Sequence, residues 1–427
     1  MVEKMKMQNK FIDLNYKPKK TDLICLFKIK PNKISIKEAA NKIALESSIG
    51  TWDKVEGIND KLIKKLGAKV FSIKKDFVKI AYPLKIFELG NMPSILSGIA
   101  GNIFGMKDIK SLRLEDVEFP KEIIKSFHGP KYGIEGIRKM LKIKNRPLVG
   151  TIVKPKLGLT PKQHSEYAYH AWKGGLDLVK SDENLTNQSF NQFKKRFLLT
   201  IKAMKKAEIE TGEKKIYVEN VTAETKEMIR RARFIQDNGG NCAMIDILTA
   251  GWGAFQTLRN ENLNLILHAH RAGHGMFTED PNQGMSMEVV AQIARMIGTD
   301  NLHIGAIFGK MKGEEEETVH IKQEIESQST KQTKKNLSQK WYGVKPTFAV
   351  CSGGIHAGVL QKLVRVMGKD IIAQAGGGVG AHPLGVEAGA KSMRQAVDAI
   401  MKKIDLKEYA KTHEELRLAI KRWGYLK

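Results

Sequence analysis

From about residue 147 onward, the sequence repeats a short apolar segment, a loop with polar or glycine residues, and an amphipathic helix. Eight such apolar segments occur, which is the number of strands that a closed parallel barrel requires. The predicted strands are 147–154, 176–180, 215–220, 242–246, 263–270, 301–306, 347–352 and 370–376. We therefore predict an α/β protein with a C-terminal (β/α)₈ TIM barrel.

Amphipathic segments between the strands have the length and period of barrel helices, notably 188–210, 286–297 and 385–404. A helical extension, 405–423, follows the last repeat. The charged segment 314–340 is poor in large apolar residues, so we predict a solvated helix and linker outside the barrel, without a role in chemistry.

The first 130 or so residues do not show the strand–loop–helix repeat of the later part of the chain. Strand-like and helical pieces alternate there, in the order 22–31, 37–48, 68–84 and 92–105. This mixture predicts an antiparallel sheet with helices on one face. We expect residues 1–130 to form an N-terminal α+β domain of ferredoxin-like type, and residues 131–427 to form the barrel domain with its C-terminal extension.

Composition narrows the class of protein. Of the 427 residues, 42% are hydrophobic and 28% are charged, which is typical of a globular protein with room for two domains. Cys25, Cys242 and Cys351 lie far apart, so neither a disulfide framework nor a zinc ribbon is indicated, and a reducing compartment fits best. No signal peptide or membrane span is indicated, so we expect a cytoplasmic protein without a membrane partner.

The net charge of +26 would attract nucleic acid, anionic membranes or phosphorylated metabolites. The basic residues are scattered, aromatic residues make up only 7%, and no nucleic-acid-binding motif is recognisable. We therefore expect composition bias and solubility to explain the charge, with no nucleic-acid partner. A non-catalytic, basic scaffold that binds polyanions is the remote alternative.

Ionisable residues and glycines follow the predicted strands where the strands end. In a (β/α)₈ barrel these carboxyl ends converge on one mouth, which carries the chemistry. Each group alone has an ordinary structural explanation, but their joint occurrence predicts one active site. The residues are Lys154, Lys156, Lys180, Asp182, Glu183, Asn220, His268, His270, Arg271, His303, Ser352, Gly353, Gly354, Gly376, Gly377 and Gly378.

These groups sort by their chemistry. Glycine turns at 352–354 and 376–378 would offer backbone N–H groups to a phosphate. Arg271 and His303 would hold a second phosphate. The two lysines after the first strand, which we expect to be dry and crowded by other cations, would serve in proton transfer.

Asp182 and Glu183 indicate a magnesium site, because Mg²⁺ prefers oxygen ligands. Two carboxylates are a small ligand set, and a carbamate formed from Lys180 and CO₂ would add a third oxygen ligand. Alternation along the strand places Lys180 and Asp182 on one side and turns Ser181 away. Taken alone, the cluster 180–183 also fits a solvated turn.

Several motifs occur in the order found in the large subunit of ribulose-1,5-bisphosphate carboxylase/oxygenase (Rubisco), and the chain resembles that family. The motifs are ESSIGTW (46–52), GIAGNIFGM (98–106), GTIVKPKLGL (150–159), GGLDLVKSDENL (174–185), HAHRAGH (268–274), HIGAIFGKMKG (303–313), SGGIH (352–356) and QAGGGVGAHPLG (374–385). GTIVKPK, LHIG and the modest length resemble the archaeal form III branch most closely. The resemblance implies a head-to-tail homodimer, or a higher oligomer of dimers, with active sites shared between subunits and no small subunit.

The resemblance also implies roles for residues at matching positions. Lys180 would be carbamylated by CO₂, and one Mg²⁺ per site would be bound by Lys180, Asp182 and Glu183. The implied catalytic residues are Lys154, Lys180, His270 and Lys310. The implied substrate-binding residues are Glu46, Thr51, Trp52, Asn102, Lys156, Arg271, His303, Ser352, Gly353, Gly354, Gln374, Gly376 and Gly377, of which the first three would come from the partner subunit.

The reaction implied by the resemblance is carboxylation of ribulose 1,5-bisphosphate. Proton removal at C3 gives an enediolate stabilised by Mg²⁺, CO₂ adds at C2, and hydration with C–C cleavage yields two molecules of 3-phosphoglycerate. Oxygenation by O₂ is the implied side reaction, and the form III likeness implies a place in nucleoside-phosphate (AMP) salvage.

Three positions depart from the family pattern. Ser181 stands where the family usually has aspartate, Lys312 replaces the usual glutamate after the loop lysine, and Gly273 replaces a bulky residue. The nearest alternative is a Rubisco-like enolase or isomerase that acts on a related sugar phosphate. Such relatives typically lose the loop lysine or several phosphate-binding residues, which this chain keeps.

Overall fold

The computed structural model describes residues 10–50, 59–308, 315–333 and 336–426. The chain divides into two compact units. The smaller unit takes the described residues up to His128, together with Gly273–Met296 and Ser327–Val344. The larger unit takes Gly129–Ala272, Ile297–Glu326 and the described residues from Lys345 onward.

The strands and helices are numbered separately in chain order. The strands are β1 (Leu23–Pro31), β2 (Lys69–Lys74), β3 (Phe77–Tyr82), β4 (Ile109–Glu118), β5 (Leu148–Ile152), β6 (Leu178–Lys180), β7 (Ile216–Asn220), β8 (Cys242–Asp246), β9 (Ile266–His270), β10 (Gly284–Met285), β11 (Asn301–Gly305), β12 (Ser329–Thr330), β13 (Gln339–Lys340), β14 (Phe348–Ser352) and β15 (Ile371–Ala375).

The α-helices are α1 (Ile36–Glu46), α2 (Asp60–Leu66), α3 (Met92–Ala100), α4 (Lys121–Lys125), α5 (Gly133–Leu141), α6 (Pro161–Lys173), α7 (Phe193–Thr211), α8 (Thr225–Asp237), α9 (Ile247–Ala250), α10 (Trp252–Asn260), α11 (Gly275–Thr278), α12 (Met287–Ile297), α13 (Glu315–Glu326), α14 (Leu360–Met367), α15 (Gly377–Gly380), α16 (Gly385–Met401), α17 (Leu406–Ala410) and α18 (Glu414–Trp423). Single 3₁₀ turns lie at Leu84–Ile86, Asn102–Gly105 and Ala357–Val359.

The smaller unit contains a five-stranded sheet in the order β10-β4-β1-β3-β2. The predicted antiparallel pairing is confirmed for β1 to β4, and only β10 runs parallel to its neighbour β4. The predicted strand-like piece 68–84 is a hairpin of β2 and β3. Its turn uses Lys75, whose φ of 57° is left-handed.

The larger unit is a closed barrel of parallel strands in the order β11-β14-β15-β5-β6-β7-β8-β9. All eight predicted strands are confirmed, because each short apolar run forms one buried strand. The apolar face of α5, with Ile134, Ile137 and Leu141, packs against side chains near the amino ends of the strands, such as Leu148 and Leu178. That packing fills one end of the barrel and leaves the carboxyl ends for the site.

The barrel helices begin close to where the sequence predicts. Thr160 and Gln163 form a capping box at the start of α6: the Thr160 hydroxyl accepts from Gln163 N, and the Gln163 side chain accepts from Thr160 N. The predicted C-terminal extension is present as α17 and α18.

The predicted solvent exposure of 314–340 is wrong for α13. Ile321 and Ile325 are buried, and α13 packs against β11 and β14. Their spacing of four residues places both side chains on one face of the helix, whereas the glutamates of the first turn are exposed. The many charged residues of the segment made this narrow apolar face hard to recognise in the sequence. Within the ranges described, no helix combines the length and apolarity that a bilayer crossing needs.

Candidate active site

A cavity of about 430 Å³ lies at the carboxyl ends of the barrel strands, entirely within the larger unit. Many of the residues predicted from the strand ends line it. The lining residues are Ile152, Lys154, Lys180, Glu183, His270, His303, Ser352, Gly353, Gly354, Ile355, His356, Gln374, Gly376, Gly377, Gly378 and Trp423.

Lys180, the last residue of β6, is fully buried. Its Nζ donates to the Ser181 carbonyl at 2.9 Å and to Glu183 Oε2 at 3.1 Å. Burial alone would raise the pKa of Glu183, but the positive charge of Lys180 and hydrogen bonds outweigh burial and lower this pKa to about 2. The interpretation of this cluster as a solvated turn is therefore wrong.

The second carboxylate also has a lysine partner. Lys154 Nζ lies 2.8 Å from Asp182 Oδ2, and the Asp182 side chain is only 1% exposed. Asn220, at the end of β7, donates from Nδ2 to the Glu183 carbonyl at 2.9 Å and so holds the loop after β6. Each carboxylate thus faces one ammonium group.

Ser181 faces a different set of side chains from Lys180, as strand alternation predicts. Its hydroxyl donates to Glu219 Oε2 at 2.9 Å and lies 3.0 Å from the Tyr217 hydroxyl. Both partners belong to β7, and all three residues are fully buried.

His270 ends β9 and is held by Asp246, which ends β8. The two residues are paired in register, and His270 Nδ1 lies 2.8 Å from Asp246 Oδ1. His270 Nε2 lies 3.7 Å from Glu183 Oε2. Sequence reasoning predicted His270 but missed Asp246, although its place as the last residue of a predicted strand was the signal that could have found it.

Two further histidines form a buried line of contacts across neighbouring strands. His268 Nε2 lies 2.8 Å from His303 Nε2, and His303 Nδ1 lies 2.9 Å from Ser352 Oγ. At the other end, Asn301 Nδ2 lies 3.3 Å from His268 Nδ1. Burial and nearby positive groups hold the pKa values of both imidazoles well below their usual range, so both rings are neutral at pH 7.

The glycine turns after β14 and β15 are shaped by close backbone packing. Gly353 and Gly354 have φ values of 99° and 73°, which favour glycine. A Cβ on Gly378 would lie 2.2 Å from the Ile355 carbonyl oxygen, so only glycine fits there. A Cβ on Gly376 would lie 3.2 Å from Lys154 Cε, which places this turn directly beside the predicted catalytic lysine.

Gln374 is the clearest sign that the cavity accommodates a ligand. This residue of β15 is 1% exposed and lines the cavity, yet neither polar atom of its amide has a hydrogen-bond partner among the residues described. Buried amide groups are rarely left unpaired, because an unmade hydrogen bond there costs free energy. A polar ligand in the cavity would supply the partner.

Other predicted residues lie away from this constellation. Lys156 is exposed and donates to Asn184 Oδ1 at 3.1 Å, while the Lys154 side chain is 37% exposed and pairs with Asp182. The expectation that these two lysines are dry and crowded by other cations is therefore wrong. Arg271 follows β9 but does not line the cavity. Its guanidinium lies against Gly305 instead, where a Cβ would be only 2.6 Å from Arg271 Nη2. Burial lowers the pKa of Arg271 to about 10.

The remaining predicted residues are not part of the barrel unit's described site. Glu46 ends α1 and Asn102 starts a 3₁₀ turn, both in the smaller unit. Thr51, Trp52 and Lys310 lie outside the described residues, as does Lys312. Conversely, Trp423 lines the cavity from the end of α18, and nothing in its sequence context indicated that position.

A closed parallel barrel that carries paired lysines and carboxylates at its carboxyl ends defines a (β/α)₈-barrel enzyme. The sequence matches the family described as ribulose bisphosphate carboxylase large chain, catalytic domain, over residues 133–423, and its N-terminal domain over residues 10–123. The chain belongs to the large-chain family of ribulose bisphosphate carboxylase.

Several similar proteins come from archaea. The chain is 48% identical over 425 residues to the ribulose bisphosphate carboxylase of Methanosarcina barkeri, covering 98% of this chain and 99% of that protein. It is 47% identical over 424 residues to that of Methanocaldococcus jannaschii, covering 97% and 99%. The predicted resemblance to archaeal Rubisco is confirmed.

Solved structures agree with the sequence comparison. The dimeric archaeal Rubisco of Hyperthermus butylicus superimposes with a TM-score of 0.93 at 45% identity, covering 98% of this chain and 100% of that one. The octameric Rubisco of Pyrococcus horikoshii has a TM-score of 0.92 at 42% identity, covering 98% and 99%. The predicted fold class is thereby confirmed.

Proposed function

We propose that the protein carboxylates ribulose 1,5-bisphosphate to two molecules of 3-phosphoglycerate, with oxygenation as a side reaction. Similar proteins over nearly the full length carry the name ribulose bisphosphate carboxylase, which supports the proposal. The observation that carries it is the 3.1 Å contact between buried Lys180 and Glu183 at the cavity. A buried lysine beside carboxylates is the group that a carbamate mechanism requires.

The donor set fits one magnesium ion per site. Asp182 and Glu183 offer the carboxylate oxygens that a hard cation prefers, and each is now neutralised by a lysine. If the Lys180 ammonium lost a proton to solvent, the free amine could add to CO₂ and release a second proton. The resulting carbamate would replace a cation with an oxygen anion and free Glu183 from its ion pair. When bound, the ion would stabilise negative charge on the substrate oxygens.

The chain's own residues would handle protons and hold the substrate. Lys154, whose side chain is 37% exposed and lines the cavity, would move a proton at the reacting carbons. His270, oriented by Asp246, would be a second acid/base group. Ser352, Gln374 and the glycine turns at 353–354 and 376–377 would bind phosphate oxygens through hydroxyl, amide and backbone N–H groups.

The rest of the proposal comes from the family. Lys310 would steady the incoming CO₂, while Lys156, Arg271 and His303 would bind substrate. Glu46, Thr51, Trp52 and Asn102 would complete the site in a homodimer or a larger assembly of dimers. We further propose that the substrate is supplied by nucleoside-phosphate salvage.

The test is incubation with Mg²⁺, ribulose bisphosphate and labelled bicarbonate. We expect acid-stable label in phosphoglycerate with the unaltered protein, and no label with Lys180→Ala or Lys310→Ala. Lys162→Ala is the matched control, because Lys162 is a surface lysine of α6 and 82% exposed. Sugar turnover without label would favour the enolase or isomerase alternative. Tight DNA binding without turnover would favour the polyanion scaffold.

A further inference from the structure

Behind Lys180 lies a buried cluster of polar side chains, which we define as His164, Ser181, Arg196, Tyr217 and Glu219. The cluster joins α6, the end of β6, α7 and β7, and each of its side chains is buried. None of these residues lines the cavity.

The cluster holds one anion and one cation. Glu219 Oε1 is ion-paired with the guanidinium of Arg196. Glu219 Oε2 accepts hydrogen bonds from the hydroxyls of Ser181 and Tyr217. Burial lowers the pKa of His164, which therefore adds no charge. The charges in the cluster balance, and each oxygen of Glu219 has a donor.

This balance depends on a neutral donor at position 181. The Ser181 hydroxyl lies 2.9 Å from Glu219 Oε2, in the absence of solvent. An aspartate at position 181 would place an acceptor against an acceptor and a second negative charge against one guanidinium, which a buried site tolerates poorly. The aspartate usual in the family is therefore incompatible with Glu219, whose carboxylate already pairs with Arg196.

The cluster also holds the segment that carries the proposed metal ligands. Ser181 lies between Lys180 and Asp182, its N–H donates to the Val218 carbonyl at 2.9 Å, and its carbonyl accepts from Lys180 Nζ. Arg196 donates to the carbonyls of Thr186 and Asn191, each at 2.7 Å. One guanidinium thus neutralises Glu219 and fixes the far end of the loop that begins at Ser181.

We infer that Ser181 and Glu219 are a matched pair of positioning residues: Glu219 supplies, from β7, the buried anion that holds Ser181 and Arg196, and thereby the loop with Lys180, Asp182 and Glu183. This inference rests on the proposed function for its consequence on activation. The pairing itself is a statement about packing and can be tested separately.

The test is a double-mutant cycle with Ser181→Asp, Glu219→Gln and the double variant, read out by melting temperature and by the Mg²⁺ concentration for half-maximal carboxylase activity. We expect each single change to lower the melting temperature and to raise the Mg²⁺ requirement roughly tenfold or more. The double variant restores one buried carboxylate, so both values should return most of the way to those of the unaltered protein.

Ser181→Asn is the matched control, because asparagine has the size of aspartate without its charge. We expect Ser181→Asn to change both readouts less than Ser181→Asp, and Glu219→Gln not to rescue it. If Ser181→Asp is insoluble, a soluble double variant supports the pairing.

Two results would overturn the inference. Additive effects of Ser181→Asp and Glu219→Gln on melting temperature would show that the residues are not a pair. A rescued melting temperature with an unchanged Mg²⁺ requirement in every variant would show that the cluster does not position the ligands. If the unaltered protein fixes no CO₂, the proposed function fails. The melting temperatures of the double-mutant cycle still show whether Ser181 and Glu219 are a pair, so the two failures can be told apart.

Discussion

The imidazole of His270 is oriented by Asp246, whose Oδ1 lies 2.8 Å from its Nδ1. A carboxylate oxygen accepts hydrogen bonds, so the proton of this contact lies on Nδ1, and that tautomer leaves the lone pair of the imidazole on Nε2. Nε2 lies 3.7 Å from Glu183, at the proposed metal site. Asp246 therefore orients the His270 ring so that Nε2 can accept a proton at the proposed metal site.

Asp246→Asn should remove the hydrogen bond that fixes this tautomer of His270. An asparagine amide can donate to Nδ1, which would move the proton to Nε2 and leave the ring in the wrong tautomer. We expect kcat for carboxylation to fall roughly 10²-fold, with a smaller change in KM. Because Asp246 acts through His270, adding Asp246→Asn to His270→Gln should cost little more; additive losses would contradict the assignment.

Carbamylation of Lys180 predicts a stabilisation that needs no activity assay. Mg²⁺ and bicarbonate together should raise the melting temperature of the unaltered protein by a few degrees, because they bind only the folded site. Lys180→Met should abolish the shift. Lys156→Met, which alters an exposed lysine bonded to Asn184, should keep it. Equal shifts in all three proteins would exclude Lys180 as the CO₂ acceptor.

Gln374→Leu should weaken substrate binding without harming the fold. The Gln374 amide has no partner among the described residues, so its removal orphans no other group. We expect KM for ribulose bisphosphate to rise roughly tenfold, the value of a hydrogen bond to a charged group. Gln395→Leu is the comparison, since Gln395 is bonded to Glu415 and to Leu416 N; it should lower stability and leave KM unchanged.

Glu213 predicts a pH dependence of stability. Burial would raise its pKa, but Lys215 at 2.8 Å and Arg394 at 3.0 Å outweigh burial and lower it. A lowered folded-state pKa means that ionised Glu213 stabilises the fold above its unfolded pKa of about 4.3, and that this stability is lost on acidification.

Glu213→Gln should therefore lower the melting temperature at pH 7, with the difference from the unaltered protein shrinking below about pH 4. Melting curves between pH 3 and pH 7 would measure it. Glu316→Gln, at an exposed position of α13, should have little effect at any pH. A difference for Glu213→Gln that stays constant with pH would refute the assignment.

The barrel could be predicted because each strand is a separate apolar run with a helix after it. Residues at the strand ends could also be predicted, since parallel strands bring them to one mouth. The ion pair of Arg196 with Glu219 could not, because a glutamate inside a strand pattern gives no sign of the helix residue that will face it. Burial of Ile321 and Ile325 was missed for a related reason: two apolar residues among many charges define a face only once the helix is placed.

The line of contacts Asn301–His268–His303–Ser352 has a direction. The Asn301 amide nitrogen can only donate, so each neutral ring in turn accepts on one nitrogen and donates from the other. The Ser352 hydroxyl accepts at the end of the line, which leaves its own hydrogen available to donate to an anion in the cavity that Ser352 lines. An aspartate in place of Asn301 would reverse the polarity of the whole line, and Ser352 would then offer the cavity a lone pair that attracts cations.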